Sequence, residues 1–253
     1  MILTIDIGNT NIVFGCIDNE NILFVERTSS EYTLSAEYAA RLNDILLTGN
    51  IDMKAMQGSI ISSVVPHLTN IIKEAVTMIT NTIPLIASIE LKTGLNLLVH
   101  NPGQVGSDRI VDAVSAIYYY SKPVIVIDMG TATTVSVVDE DSNFLGGMIM
   151  LGVKSSLEAL SSKTAQLPSI DLRESRDIIG KNTIECMLSG AIHGHAAMVD
   201  GIIYRLKKQL GQNVSVVATG GLSHAIIPHC EEEIIYDEHL LLKGLYLLYM
   251  KNN

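Results

Sequence analysis

Asp6, Gly8 and Thr10 fall in residues 2–18, ILTIDIGNTNIVFGCID, where an apolar run meets a carboxylate and then a turn. Burying an unpaired carboxylate is costly, so Asp6 is expected to face a partner. In a strand–turn–strand arrangement, Gly8 lets the backbone approach a ligand closely, and Asn9, Thr10 and Asn11 surround the turn with donors. Donors suit phosphate oxygens, and the carboxylate suits Mg2+, directly or through water. The chemistry on offer is binding of a metal-bound polyphosphate. Taken alone, D-x-G-x-T is also ordinary turn chemistry.

A second copy changes the weighing. Residues 124–139, VIVIDMGTATTVSVVD, put Asp128 on Asp6 and Gly130 on Gly8, with a hydroxyl row at Thr131, Thr133 and Thr134. The offset is close to half of the 253 residues. One repeat of that length points to two related domains, since solenoid periods run ~20–50 residues. The two turns are expected to face each other across a cleft and grip one polyanion from both sides.

A third group is Ser107, Asp108 and Arg109, at the head of the predicted helix DRIVDAVSAIYYYSK. Asp108 is a candidate base in the first turn, where the helix dipole favours an ionised carboxylate. Arg109 is suited to a two-pronged grip on a carboxylate or phosphate. Apolar residues at 110, 111, 114 and 117 would hold one helix face in the core. Phosphoryl transfer asks mainly for such positioning and for charge neutralisation. The alternative is that Ser107 and Asp108 cap the helix and Arg109 pairs with a surface acid.

Other motifs carry less. GKNT at 180–183 lacks the earlier glycine of a P-loop, Asn182 breaks its GK[ST] end, and no G-x-G-x-x-G is present. His193 and His195 are two apart in a helical segment, so they cannot aim at one metal and read as packing or interface residues. His224, His229 and His239 lack ligand spacing. Gly220 and Gly221 read as a turn.

The elements that must position these residues alternate. Helices are expected near 35–47, 67–79, 153–162 and 238–250, with a long helical region at 183–210 that reads as one helix or two. Apolar strands are expected at 59–65 and 214–219. This is an α/β chain with two mixed sheets. The halves divide into domains 1–120 and 121–253, with the junction in DRIVDAVSAIYYYSK or at Pro123. An apolar content of 47% excludes general disorder, and a net charge of −10 argues against nucleic-acid or anionic-membrane partners. No secretory signal or spanning segment is expected. Cys16, Cys186 and Cys230 are scattered and odd in number, so they read as buried free thiols in a reducing, cytoplasmic compartment.

The paired D-x-G turns resemble those of the acetate-kinase, sugar-kinase, actin and heat-shock-chaperone superfamily. More narrowly, the chain resembles type III pantothenate kinases. The resemblance runs through DIGNTN (6–11), SSVVP (62–66), KTGLN (92–96), NPxxVGxDRIV (101–111), DMGTATT (128–134), GKNT (180–183), ATGGL (218–222) and LKGL (242–245). It implies two duplicated ribonuclease-H-like domains with mixed sheets and a cleft between them. It also implies ATP-dependent phosphorylation of pantothenate to 4'-phosphopantothenate, the first step of coenzyme A biosynthesis. By the same resemblance, Asp6, Ile7, Gly8, Asn9, Thr10, Asn11, Ile12, Val13 and Thr131 bind ATP. Gly106, Ser107, Asp108 and Arg109 hold pantothenate, with Asp108 as proton acceptor and Thr183 reaching substrate across a homodimer. Asp6 serves Mg2+, and Asp128 a monovalent cation, K+ or NH4+. The chain departs from the pattern at Val99, where a Tyr is usual, at Met150-Leu151-Gly152-Val153, where APGI is usual, and at Ser107, where Ala is usual. Val99 and Leu151 keep open a catalytically weakened nucleotide-binding regulatory relative. A kinase or nucleotide hydrolase acting on another small molecule is the remaining alternative.

Overall fold

Residues 2–7 are apolar along most of their length and rich in β-branched side chains, which suits a strand covered on both faces. A computed structural model describes residues 1–175 and 177–253. The first half of the chain forms β1 (Ile2–Ile7), β2 (Asn11–Asp18), β3 (Asn21–Ser29), α1 (Ser35–Thr48), β4 (Gly58–Ser63), α2 (Pro66–Thr80), β5 (Leu85–Ile86), β6 (Asn96–Leu97) and α3 (Ser107–Tyr119). The second forms β7 (Val124–Met129), β8 (Ala132–Val138), β9 (Asn143–Leu151), α4 (Val153–Lys163), α5 (Thr183–Leu210), β10 (Ser215–Thr219), α6 (Ser223–Ile226), β11 (Ile235–Tyr236) and α7 (Leu240–Asn252).

The chain divides into two units. The first holds Met1–Leu95, His100–Tyr118 and His239–Asn253. Its sheet runs β3-β2-β1-β4-β5, antiparallel through β1, β2 and β3 and parallel through β1, β4 and β5. Leu3, Ile5 and Ile7 of β1 enter a core with Tyr38, Leu42, Leu46, Leu68 and Ile72 of α1 and α2. Strand alternation sends Thr4 and Asp6 to the opposite face. There Gly15, opposite Thr4, lies under Leu242 of α7, and Gly244 of α7 sits against the Val111 carbonyl of α3.

The second unit holds Asn96–Val99 and Tyr119–Glu238. Its sheet runs β11-β10-β7-β8-β9-β6, with β7, β8 and β9 antiparallel and β7, β10 and β11 parallel. Ile125, Ile127 and Met129 pack with Leu157 of α4 and with Ile192, Val199 and Ile203 of α5. Residue by residue, β1 and β7 share one pattern of burial, and β2 and β8 share another. The repeat seen in the sequence is a repeat of environment.

Three features differ from the sequence reading. The closing helix α7 packs in the first unit, because its apolar residues cover the β1–β4 face. Cys186 is exposed, while Cys16 is buried and Cys230 half-buried. In the run YYY (118–120), which as sequence reads as ending a helix against the core, Tyr118 is exposed and donates to Glu20. The long region is a single helix of 28 residues. Interior glycines weaken a helix, by roughly 0.5–1 kcal/mol each relative to Ala. Burial of Met187, Leu188, Ala191, Ile192, Ala196, Val199 and Ile203 on one face offsets that cost.

Candidate active site

Asp6 stands next to the end of β1, paired with Val13 of β2 on one side and Ser62 of β4 on the other. The turn beyond it closes by the Gly8 N–H donating to the Asn11 carbonyl at 3.0 Å. A Cβ on Gly8 would lie 3.2 Å from that carbonyl, so crowding rather than an unusual φ favours glycine here. Asn9 and Thr10 are exposed, and Asn11 and Val13 are half-buried. Ile7 and Ile12 are fully buried, which leaves only their main chain for a ligand.

The start of α3 is bound to the end of β4. Ser107 Oγ accepts from the Ser63 N–H at 3.2 Å, lies 3.0 Å from the Ser63 carbonyl and 3.1 Å from Ser62 Oγ. Since Ser62 pairs with Asp6, these bonds tie the helix carrying Asp108 to the strand beside the first turn. Asp108 folds back over Gly106, where any Cβ would collide with its carboxylate. Its Oδ1 accepts from the Arg109 N–H at 2.8 Å. Burial nevertheless pushes the Asp108 carboxyl above its ordinary value, against the opposing pull of that N–H and of the Arg109 charge. The helix dipole alone had argued for the opposite direction, and desolvation outweighs it. Burial likewise lowers the Arg109 guanidinium, with Asp108 opposing.

In the second unit Asp128 pairs with Thr134 of β8 and Thr219 of β10. The Gly130 N–H donates to the Ala132 carbonyl at 3.0 Å, a turn one residue shorter than its counterpart. The hydroxyl row is split by strand alternation: Thr131 is exposed, Thr133 buried and Thr134 half-buried. Gly220 has φ +90°, and a Cβ there would strike Asp128 Oδ1. Glycine is thus what lets β10 end against this carboxylate.

GKNT proves to be a helix start. Asn182 caps α5, accepting from the Glu185 N–H at 3.0 Å, while the Glu185 carboxylate receives the Asn182 amide and the Lys181 N–H. Thr183 is exposed at the first helical position. His195 Nδ1 lies 2.6 Å from the Ala191 carbonyl, and the His193 ring meets that of His229 edge to face. Among the described residues no group of three or more His, Cys, Asp or Glu is placed to hold a metal. Single carboxylates such as Asp6 and Asp128 still fit a cation held largely by nucleotide phosphates and water, the usual manner for Mg2+.

The profile of the family described as type III pantothenate kinase matches residues 2–205. The chain belongs to the type III pantothenate kinase family. A type III pantothenate kinase of an Exiguobacterium species is 41% identical over 253 residues, covering 100% of this chain and 99% of that protein. One of Listeria welshimeri is 42% identical, with 100% and 98% covered. Component A of the (R)-2-hydroxyglutaryl-CoA dehydratase of Acidaminococcus fermentans superposes with a TM-score of 0.58 at 14% identity, covering 98% of this chain and 95% of that one. At that identity the likeness speaks for the fold, which is that of two ribonuclease-H-like domains.

Within the family frame, one departure has a direct structural consequence. Ser107 makes the bonds to β4 that an Ala there would lack. In Met150-Leu151-Gly152-Val153 the departures flank a glycine that the pattern APGI keeps, and that glycine is sterically required, because a Cβ on Gly152 would collide with the Thr131 carbonyl and come within 2.5 Å of the Gly130 carbonyl. Sequence reasoning singled out neither Ser30 nor Ser155, and both touch the D-x-G turns. A serine beside a turn carries no periodic signal by which to find it.

Proposed function

We propose that this chain transfers the γ-phosphoryl group of ATP to the hydroxyl of pantothenate, giving 4'-phosphopantothenate and ADP. The observation that carries the reading, beside family membership, is the Ser62–Ser63–Ser107 link. It puts the helix start bearing Asp108 and the strand bearing Asp6 on one face of one sheet. In this reading Asp6, Ile7, Gly8, Asn9, Thr10, Asn11, Ile12 and Val13 bind ATP phosphates through main-chain N–H groups and polar side chains, and Thr131 contacts the same nucleotide. Gly106, Ser107 and Arg109 hold pantothenate. The Ser107 hydroxyl is engaged with β4, so its share falls to the main chain.

Asp108 takes the proton of the attacking hydroxyl as the new O–P bond forms and the bond to ADP breaks. A raised carboxyl is a stronger base than an ordinary one, which suits that role. Arg109, always charged, steadies the pantothenate carboxylate. Asp6 would hold Mg2+, which when bound would supply charge neutralisation at the transferring group, and Asp128 would hold K+ or NH4+.

The test is ADP release by the purified chain with and without pantothenate in potassium buffer. Pantothenate-stimulated release supports the assignment. Release indifferent to pantothenate would point to another small-molecule kinase or a hydrolase, and none at all to a regulatory relative. Full-length likeness to pantothenate kinases and retention of Asp6, Asp108, Arg109, Asp128 and Thr183 favour the first outcome. Replacing potassium by sodium is expected to depress the rate, and equal rates would remove Asp128 from its cation role.

A homodimer completes the proposal, with Thr183 of one copy reaching the substrate of the other. Leu145, Ile149 and Leu151 stand exposed along β9, and Gly190, Gly194 and Ala197 open a smooth stripe on α5. Light scattering should return twice the mass of one chain, and a monomer at micromolar concentration would count against the interface. Among the described residues no helix is long and apolar enough to cross a membrane. The exposed free thiol of Cys186 suits a reducing compartment such as the cytoplasm.

A further inference from the structure

Each D-x-G turn is held by a serine hydroxyl from outside it. Ser30, one residue past β3, donates its Oγ to the Gly8 carbonyl at 2.9 Å and its N–H to the Thr10 carbonyl at 3.2 Å. Ser155, in the first turn of α4, donates its Oγ to the Thr131 carbonyl at 2.9 Å, beside the Gly152 N–H at 3.2 Å on the same oxygen. Ser30 lies one residue past β3 and Ser155 four residues past β9, the strand that ends the antiparallel run in each unit.

We propose that Ser30 and Ser155 are positioning residues for the nucleotide, latching the turn peptides so that donors rather than carbonyls face the phosphates. The inference rests on the ATP-binding reading. In a planar trans peptide the carbonyl of one residue and the N–H of the next point in opposite directions. Holding the Gly8 carbonyl on Ser30 therefore sends the Asn9 N–H to the other side. Holding the Thr131 carbonyl on Ser155 and Gly152 does the same for the Ala132 N–H. A peptide flipped the other way would present oxygen to the phosphate oxygens, whereas the latched peptide presents a donor. Gly8 needs such a hold more than most residues, because glycine permits both orientations.

The latches are tested by binding of a non-hydrolysable ATP analogue with Mg2+, by KM for ATP and for pantothenate, and by thermal unfolding. The variants are Ser30→Ala, Ser155→Ala, Ser30→Thr and Ser155→Thr. Ser162→Ala is the control, since its hydroxyl also donates to a main-chain carbonyl, that of Ala159 on the same α4. Loss of one such bond should weaken analogue binding and raise the ATP KM about fivefold in each Ala variant. The pantothenate KM should hold, and the unfolding midpoint should fall by no more than the loss of one hydrogen bond brings. At least one Thr variant should restore affinity, and Ser162→Ala should change nothing. Unchanged analogue affinity in both Ala variants would overturn the inference. So would a loss shared equally by both KM values and the midpoint without rescue by Thr. Failure of the unaltered chain to bind the analogue would sink the ATP reading and the latches together. Binding without pantothenate turnover would sink only the acceptor, leaving the binding measurements to decide on the latches.

Discussion

Asp108→Asn is expected to lower kcat by about 10²–10⁴-fold, the usual contribution of a general base, with ATP affinity unchanged. The amide keeps the shape of the carboxylate over Gly106 and loses its basicity, while the proposed ATP contacts lie elsewhere in the chain. Burial raises the carboxyl of Asp108 in the fold, which fixes two further signs. The base must be ionised to act, so the acid limb of the rate profile should lie above the ordinary aspartate value near ~3.9. For stability, a raised folded value means that protonation favours the fold. That stabilisation is complete below the unfolded pKa and is lost as pH rises through the folded one. At neutral pH the ionised carboxylate is therefore a cost, and Asp108→Asn should unfold at a higher temperature than the parent at pH 7. The advantage should shrink as pH falls toward the ordinary aspartate range. Near-normal turnover would remove Asp108 from the role of base, and a variant less stable at pH 7 would contradict the burial argument.

Gly220→Ala is expected to cost both stability and activity. Its Cβ would strike Asp128 Oδ1 and come within 2.6 Å of the Met129 N and 2.7 Å of the Met129 carbonyl carbon. Main chain cannot swing aside as the end of a long side chain can. Either β10 parts from β7 or Asp128 leaves its place. The φ of +90° adds backbone strain of roughly 1–3 kcal/mol for a residue with a Cβ, and overpacking adds about as much again. Denaturant unfolding should show a loss of about 2–6 kcal/mol from these two sources. Turnover in potassium buffer should fall even where the variant remains folded, because the displaced group is the proposed cation ligand. Gly103→Ala is the comparison, since a Cβ there meets nothing within 4 Å and should leave both measurements unchanged. A Gly220→Ala protein as stable and active as the parent would mean that Asp128 has room to spare.

The central strands of both sheets were legible because a carboxylate and a glycine interrupt otherwise apolar runs twice, at matching places. The helices other than the four-residue α6 were legible from their period, to within a few residues. β5, β6 and β11 span two residues each, too few for any alternation to register. α7 was visible as a helix but not as part of the first unit. Residues 240–252 are apolar on nearly every side, which says that the helix is buried and not against which sheet. Its place rests on particular fits: Gly244 on the Val111 carbonyl, and the Tyr249 hydroxyl donating to the Gln57 carbonyl. In the candidate site, the residues that touch ligand in this reading were found by motif, and those that brace them were not. Ser30 reads as a loop serine, and nothing in Ser107 foretold that its hydroxyl would turn inward to β4 rather than toward a substrate.

The placement of α7 also bears on how the chain comes to be folded. As it leaves the ribosome, the sheet made first lacks the cover of α7 on its β1–β4 face until residues 240 onward have been translated. The later-made unit, drawn almost wholly from residues 119–238, has all its own helices in hand by then. β1 with its aspartate is thus covered by a helix, α7, that is translated only after the second unit.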